Sequence, residues 1–121
     1  PKIPVVVDHE GHGNYKCFEV RGDSMNDETI YGYMDGDVIL AREVQRGLWR
    51  PKLHINKVDF IIVHKDGIVL KQIIEQCDVK GVIKLHSLNP NKIDYPDYEI
   101  FLDDCYQIFS VVEIVKRNMK R

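Results

Sequence analysis

The chain has 121 residues, of which 44% are hydrophobic and 30% charged, a balance that excludes a disordered tail or a coiled-coil rod. Its formal net charge of −2 gives no global field to draw it onto nucleic acid or anionic lipid. One alanine (Ala41) set against abundant Val and Ile favours strands, because β-branched side chains lose little on a pleated surface.

The size fits a single domain spanning residues 1–121. Residues 1–14 read as an N-terminal arm, with the short apolar run "IPVVV" followed by a polar, Gly-containing loop. "YKCFEV" (15–20) alternates as a strand and ends at Gly22. "SMNDETI" is expected to form one helical turn, with Ser24 as N-cap and Asp27 and Glu28 at its positive end. Asp35-Gly36 predicts a turn, and 37–42 a strand.

Residues 43–57 carry a Gly, a Pro and the only Trp, and read as a loop inserted outside the core. "VDFIIVH" (58–64) and "IVLKQIIE" (68–75) form a hairpin, with Asp66-Gly67 as its turn signal. "GVIKLHSL" (81–88) is the next strand, "NPNKIDYPDY" a loop, and 105–117 a last long strand with room for a bulge. The expected fold is mainly β, with six to eight strands in strongly coiled antiparallel sheets or a partly closed barrel, and little helix.

Three cysteines, Cys17, Cys77 and Cys105, are odd in number and lack CxxC spacing, as reduced thiols of a cytoplasmic protein would be. No charged start with an apolar core resembles a signal peptide, and no apolar run approaches 18 residues. The chain starts at Pro1, so it reads as a fragment of a longer protein.

Two residues stand out chemically. Lys71 lies within "GIVLKQII", where Val69 and Ile73 share its face and Ile68, Leu70 and Ile74 line the other. A strand apolar on both faces is central, and burial there would favour the neutral amine that a general base needs. The bland alternative is a lysine whose stem packs on the sheet while its head reaches water. Ser24 follows a strand and Gly22, in a turn that can aim neighbouring N–H groups at one point. Its bland alternative is helix capping. Arg21-Gly22-Asp23 also spells an adhesion tripeptide, but signal peptide and disulfide framework are both missing.

In order, "VRGDSM", "DGDVILA", "IVLKQI", "LHSLNPN" and "FSVVEIVKRN" resemble the LexA and phage-repressor family of self-cleaving serine peptidases. The resemblance runs from residue 15 to residue 117. It implies Ser24 as nucleophile, Lys71 as general base, and the backbone N–H groups of Asp23 and Ser24 as oxyanion donors. Gly22 and Met25 would support the turn, while Asp35, Gly36 and Asp37 look structural. It further implies a homodimer, a helix-turn-helix domain upstream that binds operator DNA, and a RecA filament that stimulates self-cleavage in an SOS response. No cofactor or metal is expected.

The sequence departs from that pattern in two places. Gln72-Ile73 follows the lysine where many relatives have a basic residue, and 43–57 is longer than the compact pattern needs. There Arg46, Trp49, Arg50, Lys52 and His54 offer either a partner surface or a solvated loop with Trp49 tucked against the sheet. No Ala-Gly dipeptide precedes Ser24, so the scissile bond is expected upstream. Rival readings keep the fold as a non-cleaving oligomerisation module, or make it a signal-peptidase-like enzyme, which would need a membrane anchor. His9 and His12 lack a third ligand, the pairs Asp94/Asp97 and Asp103/Asp104 read as turn solvation, and the tail "KRNMKR" as frayed surface.

Overall fold

A computed structural model describes residues 14–50, 53 and 58–119. The N-terminal run 3–7, His9, His12, Lys52 and His54 lie outside the described residues. The fold is mainly β, as expected, with strands β1 (Tyr15–Glu19), β2 (Val38–Glu43), β3 (Asp59–His64), β4 (Gly67–Cys77), β5 (Val82–His86), β6 (Tyr98–Phe101) and β7 (Cys105–Lys116). They make one antiparallel sheet in the order β1-β2-β7-β3-β4-β5-β6. Among the described residues the sheet is open, with β1 and β6 at its edges, so the barrel closure allowed by the sequence does not occur among them.

The continuous apolar runs are explained by burial on two faces. Along β3, Phe60 and Ile62 enter one core cluster while Ile61 enters another, and Ile108 and Phe109 of β7 divide the same way. The first cluster gathers Ile73, Ile83, Leu85 and Trp49, and the second gathers Val20, Met25, Ile39 and Ala41. β7 carries register shifts against both β2 and β3, the irregularity expected of so long a strand.

Four local expectations change. Residues 24–30 form turns rather than a helix. Asn26 Oδ1 accepts from Glu28 N, Asp27 Oδ1 accepts from both Thr29 N and its hydroxyl, and Glu28 adopts φ +65°. These side-chain oxygens compete with a helical ladder, so Ser24 caps nothing. In the β3–β4 hairpin His64 pairs with Gly67, which makes Lys65 and Asp66 the turn and Gly67 the first strand residue.

The described part of 43–57, residues 43–50 and Leu53, is not outside the core, because Trp49 and Leu53 are buried within it. Trp49 Nε1 donates to Val44 O at 2.9 Å, and Arg46 stacks on its ring at 4.3 Å. Arg46 also reaches the carbonyls of Cys105 and Tyr106, and Arg50 that of Asp78. Nor does the tail fray at once. Arg117 donates to the carbonyls of Gly32 and Ile30 and to Asp37.

Asp37 is wholly buried and accepts from Met34 N at 2.9 Å, Arg117 Nη1 at 3.1 Å and Asn118 N at 2.7 Å. It therefore ties the start of β2 to the end of β7 and has the structural role its turn suggested. All three cysteines are free. No helix of the described residues is long and apolar enough to cross a membrane.

Candidate active site

Gly22 adopts φ +81°, a left-handed conformation that favours glycine, and its N–H donates to Asp35 Oδ1 at 2.7 Å. The chain can then turn sharply from β1 into Asp23-Ser24-Met25. Met25 is buried, and its carbonyl accepts from Tyr33 N at 2.8 Å, which fixes the far side of the turn. Ser24 is half-buried, and among the described residues its hydroxyl has no hydrogen-bond partner. The N–H groups of Asp23 and Ser24 likewise have no acceptor among the described residues.

Lys71 occupies β4 between β3 and β5 and is buried. The rest of the strand is more open than its composition suggests, since Ile68 is exposed and Leu70 and Ile74 are half-buried. Burial lowers the pKa of Lys71 below the ordinary lysine value, and the positive charge of Lys92 acts in the same direction. Its Nζ donates to Ser87 Oγ at 2.7 Å rather than to Ser24.

Ser24 and Lys71 nevertheless border one cleft of about 310 Å³, with Phe18, Val20, Ile39, Ile61, Ile68 and Leu70 as its apolar walls. Arg21, paired with Glu19 at 3.2 Å, stands at the same cleft.

The segment Ser87-Leu88-Asn89 links the two halves. Ser87 holds the lysine, Asn89 N donates to Ser24 O and Asn89 Nδ2 to Asp23 O, each at 2.9 Å, and Leu88 N contacts Met25 Sδ at 3.4 Å. Lys92, from the following loop, donates to Ser87 O. The sequence offered "LHSLNPN" as a motif without roles for its residues. A signal was present, because Ile83, Leu85 and Ser87 alternate onto one buried face. A serine at such a position needs a polar partner, and here it is the lysine.

The remaining candidates are dispersed. His86 pairs with Asp97 at 2.7 Å, and Asp104 with Lys65 at 3.4 Å. Among the described residues no group of three or more His, Cys, Asp or Glu is placed to hold a metal ion.

Neither curated proteins nor solved structures gave a match to this chain. A model of the family described as Peptidase S24-like matches residues 2–112, a span that holds the serine turn, the lysine strand and the segment joining them. The chain belongs to the Peptidase S24-like family.

Proposed function

We propose that this domain is a self-processing serine peptidase of a LexA-like or prophage repressor-type regulator, with Ser24 as nucleophile and Lys71 as general base. The observation that carries this reading is a buried lysine and a serine without a hydrogen-bond partner among the described residues, on one apolar cleft. Neutral Lys71 takes the Ser24 proton as Oγ bonds to the peptide carbonyl carbon, whose π pair moves to oxygen. The Asp23 and Ser24 N–H groups receive that oxyanion. Collapse expels the leaving amine, which takes its proton from the Lys71 ammonium, and water then hydrolyses the ester. Contact between Ser24 and Lys71 is to be made as substrate fills the cleft, since such hydrogen bonds often tighten only on binding.

An extended peptide suits the site. Residues 68–71 of β4 pair with β3 on one side, while β5 begins its pairing only at Gln72. Among the described residues no strand covers that edge, which a substrate strand can join through main-chain hydrogen bonds. The scissile segment would lie upstream of Ser24, between this domain and a DNA-binding domain. Dimerisation, operator binding and stimulation by a RecA filament complete the proposal.

The test is alkali-driven self-cleavage of the protein with its native upstream segment, followed by gel and mass spectrometry. Ser24→Ala and Lys71→Ala should each abolish cleavage with an unchanged circular dichroism spectrum. Cleavage persisting in either variant would remove the assignment. A wild-type protein that never cuts but dimerises would favour the non-cleaving oligomerisation module.

A further inference from the structure

The peptidase reading needs an unprotonated Lys71 near neutral pH, and the environment of that amine includes a second lysine. Lys92 sits in the loop after β5, exposed overall, with its ammonium bonded to the carbonyl oxygen of Ser87. The hydroxyl of the same Ser87 accepts from Lys71 Nζ at 2.7 Å. Two amines thus bracket one buried serine, one on its backbone and one on its side chain. Among the described residues Lys92 has no carboxylate within ion-pair distance, so its charge is not cancelled locally.

Other charged groups around the cleft are accounted for. From β1 and its exit, Glu19 and Arg21 pair with each other at 3.2 Å, and Asp23 is exposed on the turn. From β3, Asp59 is held by the Tyr33 hydroxyl at 2.6 Å. Lys92 is the charge that disfavours the Lys71 ammonium, after burial itself. The Ser87 hydroxyl has a separate effect. By accepting an N–H from Lys71 it leaves the amine lone pair free to point elsewhere.

Resting on the Ser24–Lys71 reading, we propose that Lys92, anchored on the Ser87 carbonyl, is a positioning residue that sets the basicity of Lys71 through its charge, while the Ser87 hydroxyl sets the direction of the amine. Charge activation of one lysine by another cation needs no contact with substrate, so Lys92 acts only through Lys71. The two contributions separate experimentally. Charge loss moves a titration, whereas loss of direction lowers the rate at every pH.

The experiment is NMR titration of the Lys71 side chain in this chain, in Lys92→Met, and in Lys92→Arg. Self-cleavage rates against pH follow for the same variants and for Ser87→Ala. Lys92→Met should move the Lys71 midpoint upward toward ordinary lysine, and Lys92→Arg should restore it. At pH 7 the Lys92→Met rate should fall roughly three- to tenfold and rejoin wild type on the alkaline plateau. Ser87→Ala should lower the plateau itself.

An unmoved Lys71 midpoint in Lys92→Met overturns the role of Lys92, even if the wild-type protein cleaves. A midpoint that moves in a protein that never cleaves supports the charge effect and removes the peptidase reading instead. The exposed position of Lys92 keeps the fold out of the comparison.

Discussion

Replacing Asp37 by alanine tests whether the serine turn is held by a distant ion pair. The carboxylate is 0% exposed and accepts three hydrogen bonds, from Met34 N, Arg117 Nη1 and Asn118 N. Truncation orphans two backbone donors, each costing about 1 kcal/mol, and breaks a charge-assisted bond worth somewhat more. Arg117 offsets part of this, because it is 35% exposed and retains the carbonyls of Ile30 and Gly32.

The expected loss is about 3 kcal/mol, at the low end for breaking a buried pair. A domain of 121 residues has an unfolding entropy of about 0.25 kcal/mol per kelvin, so the melting temperature should fall by about 12 °C. Thermal melts followed by circular dichroism measure it directly. Asp37→Asn keeps one accepting oxygen and should lose less. The backbone bond from Val20 N to Asp37 O, 2.8 Å, connects this point to the chain entering the Ser24 turn, so cleavage should slow as well. A drop under about 2 °C for Asp37→Ala would refute the idea that these three bonds hold β2 to the end of β7.

Lys71→Met should abolish cleavage and orphan the Ser87 hydroxyl, and its stability relative to wild type should be highest at low pH, since the pKa of the buried amine is lowered in the fold. The unfolded chain then binds more protons, so wild-type stability rises with pH from the folded pKa up to the free lysine value, and Lys71→Met falls back relative to wild type over that window. Melts from pH 6 to pH 10 check the sign, and a stability difference that stays constant or moves in favour of Lys71→Met as pH rises would contradict it. Asn89→Ala removes the side-chain bond to Asp23 O and should cost about 1 kcal/mol, with self-cleavage roughly tenfold slower through a misplaced turn. Urea melts and cleavage rates report the two effects, and an unchanged rate would remove the clamp role. Trp49→Ala should cost about 3 to 5 kcal/mol by urea denaturation, because the ring is 3% exposed within a core cluster. A loss below about 1 kcal/mol would return Trp49 to the surface.

Much of the fold was legible along the chain. Period-2 patterns and turn residues placed β1, β2, β3, β4, β5 and β7, because those features are local. The short strand β6 carried no comparable signal, being four residues long with three of them exposed. The turn after Ser24 misled for a related reason. Serine followed by acidic residues suits a helix start, but Asn26, Asp27 and Thr29 satisfy the backbone by themselves, and Arg117 takes the carbonyls of Ile30 and Gly32. Trp49 was ambiguous, since a lone aromatic in an irregular segment can be inside or outside.

The sequence by itself determined the mainly-β class and marked Ser24 and Lys71, because a glycine-led turn and a lysine in an apolar strand are readable from neighbours alone. Only the tertiary structure brought Asp37 to Arg117, 80 residues apart, and set Ser87, Asn89 and Lys92 between the serine turn and the lysine strand. Those contacts arise where chain segments distant in sequence meet, and buried polar groups must find partners wherever the packed sheet provides them.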